Sequence, residues 1–225
     1  MPEGVPFRAA TVALSMLGAL VTAGGDARAR SAPTPVRIVA FGDSLVAGYG
    51  LRPGEAFPAQ LQAALRAKGY DVTVANAGVS GDTSARAVAR MERAVPTGTD
   101  LTIVEFGAND IYRGVPASTT ERNLDAVLSH VASKSKAVIL AGMVIPPGLG
   151  NEASRSFAPI YKRLAERHAA ALYPFFLKGV AGNRNLNLGD GIHPNAAGVK
   201  RIVDGILPTV LRELGKLEER RAAAD

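Results

Sequence analysis

From residue 36 onward, short and nearly continuous apolar runs alternate with longer stretches that carry a helical stripe. The run at 36–41 reads as a strand buried on both faces, because a half-exposed strand would alternate apolar with polar. Residues 55–68 read as a helix with Phe57, Leu61 and Leu65 on one stripe and Gly69 as its stop. A second strand is expected at 71–75. Asp82 or Thr83 then caps a helix that runs to about residue 95, where Pro96 and Gly98 break it. A third strand at 101–106, a helix at 118–132 and a fourth strand at 137–144 follow. After the Pro- and Gly-rich loop at 145–150 come a helix at 153–171 and a weaker strand at 173–177. The last helix is expected from Pro194, where a first-turn proline sacrifices no hydrogen bond, to about residue 214. The charged, Ala-rich stretch 217–225 reads as a frayed tail.

Strand and helix alternating in this way predict an α/β domain: a five-stranded parallel sheet with helices on both faces. Ligands of such sheets sit at the carboxyl ends of the strands. Asp43-Ser44, Asn76-Ala77-Gly78 and Gly107-Ala108-Asn109-Asp110 follow the first three strands and so fall on one edge. One domain over 36–214, with 215–225 as its tail, accounts for the pattern without an internal repeat.

The 225 residues, 47% apolar and 20% charged, are enough for one hydrophobic core. The beginning of the chain is set apart. Arg8 precedes an uncharged apolar stretch at 9–23, and Ala27-Arg28-Ala29 follows. That order reads as a signal peptide over 1–29, cleaved after Ala29, with a linker at 30–35. The alternative is a membrane anchor, but the stretch is shorter than the roughly 20 residues a spanning helix needs. The chain has no cysteine, which excludes a thiol nucleophile and a thiolate metal site. Its net charge of +6 is compatible with transient contact with an anionic membrane surface. The basic residues are scattered and tryptophan is absent, so nucleic acid is not an expected partner.

Candidate chemistry sits at the two ends of the domain. Ser44, in Phe41-Gly42-Asp43-Ser44-Leu45, lies in a Gly-containing turn after the first strand. It reads either as a helix cap or as an exposed nucleophile. His130 and His168 fall inside helices, whereas His193 stands in a loop three residues after Asp190. That spacing lets a carboxylate orient the imidazole, although Asp190 also fits a simple Gly-Asp-Gly turn. Acyl transfer requires donors for a developing oxyanion. The Ser44 N–H, the Gly78 N–H and the Asn109 side chain are the candidates, Gly78 because a missing Cβ permits close approach. No G-x-S-x-G elbow, P-loop or dinucleotide glycine motif is present, and no His/Asp/Glu spacing points to a metal.

As a set, Gly42-Asp43-Ser44-Leu45, Gly78 within Asn76 to Ser84, Gly107-Ala108-Asn109-Asp110 and Asp190-Gly191-Ile192-His193-Pro194 resemble the four sequence blocks of the SGNH (GDSL) hydrolase family. Within it, they are most similar to the periplasmic thioesterase, arylesterase and lysophospholipase branch. The likeness spans roughly residues 36–211. It implies a three-layer, flavodoxin-like α/β/α sandwich, a Ser44-His193-Asp190 triad, and an oxyanion hole from Ser44, Gly78 and Asn109. Ala108 stands where that branch often has glycine. Substrate contacts are expected from Asp43, Ala108, Ile111, Tyr112, Pro146 and Ile192. The implied activity is hydrolysis of aryl esters, acyl thioesters or lysophospholipids by a periplasmic or secreted monomer that needs no cofactor and no metal. The rival readings are a carbohydrate O-acetylesterase with the same triad, a non-catalytic envelope binding protein, and a flavodoxin-like small-molecule binder.

Overall fold

The first apolar run forms β1 (Val36–Gly42), in which every residue from Ile38 onward is buried, as a central strand requires. The structure is a computed structural model that describes residues 35–144 and 151–223, apart from the side chains of 151–155 and 158. The leader, most of the linker and the loop at 145–150, Pro146 included, lie outside the described residues. β1 is followed by β2 (Val72–Gly78), β3 (Thr99–Glu105), β4 (Ser135–Ala141) and β5 (Ala171–Tyr173). All pair in parallel in the order β2-β1-β3-β4-β5. This is the flavodoxin-like order, and its direction reverses between β1 and β3, where a ligand crevice opens.

The helices are α1 (Ser44–Ala47), α2 (Phe57–Arg66), α3 (Ser84–Ala94), α4 (Ala108–Tyr112), α5 (Ala117–Lys134), α6 (Asn151–Arg167) and α7 (Ala196–Ala222). α2 packs with α7, and α5 packs with both α3 and α6, which gives the two outer layers of an α/β/α sandwich. Between them, Phe41 meets Phe106 edge-on at 4.9 Å and Phe57 meets Phe176 at 5.1 Å. Each such pair adds about 1 kcal/mol to area burial.

The C-terminal elements differ from the sequence reading, each for a local reason. α6 ends at Arg167 because Ala169 turns at φ 50°, and β5 starts two residues early and stops before Pro174, which has no N–H for a ladder. Asn195, whose side chain accepts the Gly198 N–H at 2.9 Å, caps α7; Pro194 lies before the cap, bridged to Asn187. The stretch read as a frayed tail is helical to Ala222. Leu214 and Leu217 extend the stripe of Val199, Ile202, Val203, Ile206 and Val210, and Arg221 pairs with Asp100 at 2.8 Å.

Candidate active site

β1 delivers its last residue, Gly42, into a tight strand-to-helix turn. A Cβ on Gly42 would lie 2.4 Å from Val46 Cγ2 and 2.8 Å from Glu105 Oε2, so only glycine lets the turn close. Asp43 then caps the four-residue α1, its Oδ1 accepting the Leu45 N–H at 3.0 Å, and Gly48 ends it at φ 83°. The turn sets Ser44 at the first helical position, its hydroxyl at the mouth of the β1/β3 crevice.

The loop before α7 supplies the facing groups. His193 Nε2 lies 2.9 Å from Ser44 Oγ, across 149 positions of sequence. On the other side of the ring, Nδ1 lies 2.6 Å from Asp190 Oδ2. Asp190 Oδ1 also accepts the backbone N–H groups of Ile192 and His193 at 2.9 and 3.0 Å. The bonds from the His193 backbone and imidazole, with that from Ile192, hold the Asp190 carboxyl down at about 2, so it is ionised near neutral pH. Gly191 turns at φ 72°, Leu188 N–H donates to His193 O at 2.7 Å, and Asn187 Nδ2 donates to Val180 O and Asn183 O at 2.8 Å each. A loop without regular structure is thereby held to one shape. The Tyr49 ring lies 4.4 Å from the imidazole, tilted by 35°.

β3 feeds α4 through Gly107, whose φ of 124° suits glycine alone. Asn109 then points its amide into the crevice: Nδ2 donates to Asp43 Oδ2 and to Asp82 O, at 3.0 Å each. Asp110 faces the other way. Buried, it accepts from the Ser84 N–H and hydroxyl and, at 3.1 Å, from Thr120 Oγ1, which locks α4 against α3 and α5.

Two expectations change here. The Gly78 N–H is taken by Asn76 Oδ1 at 3.0 Å, and a Cβ there would lie 2.3 Å from Ala47 N. The close approach that glycine allows is therefore to the protein's own α1, and Gly78 offers the crevice no free donor. Three residues on, Gly81 turns at φ 81° immediately before Asp82, the residue whose carbonyl holds Asn109. Among the described residues the N–H groups of Gly81 and Ser44 have no acceptor. The signal available in sequence is a glycine directly before the expected cap Asp82-Thr83. Asp43 is also relocated: it is fully buried and touches Asn109 from beneath, so it does not contact substrate.

The other expected contacts are at the rim. Ala108 and Ile111 are half-buried, and Tyr112 and Ile192 are exposed. Five large apolar side chains are exposed among the described residues: Tyr49, Val79, Tyr112, Val144 and Ile192. Each belongs to a segment at the carboxyl edge of the sheet, following β1, β2, β3 or β4 or preceding α7. Among the described residues no group of three or more His, Asp or Glu side chains converges as metal ligands would. A hydroxyl, a base within reach, a carboxylate behind it and free N–H groups beside it are the parts that nucleophilic attack on a carbonyl requires.

The family model of the GDSL-like Lipase/Acylhydrolase family matches residues 40–201. Esterase TesA of Pseudomonas aeruginosa is 34% identical over 174 residues, 77% of this chain and 87% of that protein. Thioesterase 1/protease 1/lysophospholipase L1 of Escherichia coli K12 is 34% identical over 169 residues, 75% of this chain and 78% of the relative. The crystal structure of AlinE4, an SGNH-hydrolase family esterase, is 41% identical and superimposes with a TM-score of 0.68, covering 82% of this chain and 99% of that one.

Proposed function

This chain belongs to the GDSL-like lipase/acylhydrolase family and is an ester hydrolase, and on that premise we propose that it cleaves carboxylic esters and thioesters through an acyl-enzyme on Ser44. Ser44 Oγ attacks the carbonyl carbon while His193 Nε2 takes its proton, and Asp190 holds the imidazolium that forms. The tetrahedral oxyanion is received by the N–H groups of Ser44 and Gly81 and by the Asn109 amide. Asn109 releases or shares one of its present bonds as charge builds on the substrate oxygen. Collapse expels the alcohol or thiol, which leaves with the proton from His193. Water activated by the same imidazole then frees the acid and restores Ser44.

The 2.9 Å approach of His193 Nε2 to Ser44 Oγ carries this reading. The apolar rim of Tyr49, Val79, Tyr112, Val144 and Ile192 supports acyl or aryl substrates, including acyl thioesters and lysophospholipids, over acetylated sugars, whose hydroxyls an apolar rim leaves unpaired. One chain carries every residue of the site, which supports a monomer. The leader read at 1–29 supports export to the periplasm or beyond, and the +6 net charge supports transient contact with anionic membranes.

The test is Ser44→Ala assayed on p-nitrophenyl acetate, phenyl acetate, an acyl thioester and a lysophospholipid. All four activities are expected to fall to background. A variant that hydrolysed p-nitrophenyl acetate at the wild-type rate would overturn the mechanism. A kcat/KM that rises with acyl length supports the substrate class, and a strict preference for acetylated oligosaccharides overturns it.

A further inference from the structure

Glu105, the last residue of β3, has no place in the mechanism above, yet it is fully buried directly beneath the turn that carries Ser44. Its Oε2 accepts the Asp43 N–H in a long bond of 3.4 Å, and its Oε1 is buried with no hydrogen-bond partner. Asp43 is fully buried too, so this contact brings a second carboxyl group into the same closed space. Asp43 in turn accepts from the Leu45 N–H and from Asn109 Nδ2.

Two carboxyl groups buried together in one closed space cannot both be ionised unless a cation lies between them. The surrounding elements supply none. Arg90 on α3 stands over the Phe106 ring, but it spends its donors on Asp82, Ala77 O and Gly42 O. Tyr161 on α6 donates to Phe106 O at 3.0 Å, and Asp110 on α4 faces Ser84 and Thr120. Of the two carboxyls, Asp43 is the one provided with donors, so the negative charge belongs there and the proton belongs on Glu105. Burial and the Asp43 charge both push the Glu105 carboxyl well above its ordinary range, in agreement with that placement.

We propose that Glu105 is a positioning residue: its neutral carboxyl group donates a hydrogen bond to Asp43, and through Asp43 it fixes the Asn109 amide at the oxyanion site. The chain of contacts runs from β3 through the Ser44 turn to α4, so one proton couples the nucleophile's turn to an oxyanion donor. Gly42 belongs to the same device, since any side chain there would strike Glu105 Oε2. The inference rests on the roles given to Ser44 and Asn109 above.

Infrared spectroscopy and kinetics of Glu105→Gln and Glu105→Leu test it. At pH 8 the wild-type minus Glu105→Gln difference spectrum should contain the C=O stretch of a protonated carboxylic acid, and its absence overturns the proposal. This arm reads the proton directly and stands even if Ser44 proves not to be the nucleophile. Gln keeps one donor and one acceptor in the same shape, so kcat should stay within about threefold of wild type. Leu fills the space without a donor. It should melt no lower than Gln yet lose on the order of 10²-fold in kcat, with KM within about threefold. Leu that keeps the wild-type kcat, or Gln as impaired as Leu, overturns the positioning role. Should Leu fail to fold, the infrared band and the Gln kinetics decide alone.

Discussion

Asp190 holds His193 at two points. Its Oδ2 lies 2.6 Å from the imidazole Nδ1, and its Oδ1 accepts the His193 backbone N–H at 3.0 Å. One carboxylate thus sets both the ring and the chain that carries it. Asp190→Asn separates these duties. The amide oxygen can still accept the backbone bonds, but an amide N–H opposite Nδ1 favours the wrong tautomer. The expected result is a folded protein with kcat reduced on the order of 10³–10⁴. The variant's melting temperature and kcat on p-nitrophenyl acetate, measured together, check this. A large drop in melting temperature with little change in kcat would show that the turn alone matters.

Tyr49 supports the same imidazole from its face, 4.4 Å between centroids, while remaining exposed. A tilted aromatic contact of this kind is worth about 0.5–1.5 kcal/mol, equivalent to roughly 2- to 12-fold in rate. Tyr49→Ala should therefore lower kcat/KM by about that factor, and Tyr49→Phe should restore it. If Phe and Ala are equally impaired, the hydroxyl is what acts and the ring contact is incidental.

The N–H groups beside the crevice divide cleanly into taken and free, which allows the oxyanion assignment to be tested by contrast. Asn109→Ala should cost on the order of 10²–10³ in kcat, as the loss of one oxyanion donor does elsewhere. Asn76→Ala releases the Gly78 N–H and the bond from Asn76 Nδ2 to Ala47 O. It should cost about 1 kcal/mol of stability and leave kcat near wild type. If Asn76→Ala raised kcat markedly, Gly78 would be a donor that Asn76 normally blocks.

Much of this arrangement is legible in the sequence because its parts sit where local rules are strong. Most of the strands are centred on short apolar runs, and Ser44, Asn109 and His193 each follow a Gly-marked break at an element end. Arg90 and Glu105 are not legible in that way. Arg90 reads as one more cation on a polar helix face, and Glu105 as the polar terminus of a strand. Their importance arises only when β1, β2 and β3 are brought side by side and the space beneath the Ser44 turn closes. The role of Gly78 is hidden for a related reason. A missing Cβ announces close approach, but whether to a ligand or to the chain's own α1 depends on tertiary packing.

Asp43 sets a pH dependence that its burial explains. Desolvation outweighs the bonds from Leu45 and Asn109 and pushes its carboxyl up to about 6, against roughly 3.9 in the unfolded chain. Between those values the folded state keeps a proton that the unfolded state has released. Stability contributed here is therefore present below about pH 4 and is lost as pH rises to about 6. Asp190, Asp100 and Asp125, whose carboxyls are held low, act in the opposite direction below about pH 4, so a variant is needed to isolate the effect. Denaturant titrations of wild type and Asp43→Asn should show the wild type losing stability relative to the variant between pH 4 and 6. A constant difference across that window would contradict the buried-carboxylate account.

Arg90 ties together three segments on which the site depends. Its Nε bonds Asp82 Oδ2 at 2.5 Å, and Nη1 and Nη2 donate to Ala77 O and Gly42 O at 2.8 Å each, while the guanidinium stacks 4.7 Å from the Phe41 centroid. The ends of β1 and β2 and the Gly81-Asp82 turn are thus joined by one planar group. Lysine carries the charge but not the fork, so Arg90→Lys strands at least one inward-facing carbonyl and weakens the Asp82 pair. The expected cost is about 3 kcal/mol, or roughly 6–12 °C in Tm for a domain of this size. Because Asp82 O also accepts from Asn109, kcat should fall below the melting transition as well, with KM less affected. Calorimetry and single-turnover kinetics on the same preparation read the two effects separately. A Tm within about 2 °C of wild type, under 1 kcal/mol for this domain, would show that Asp82 is held by Arg86 at 3.0 Å without Arg90's help.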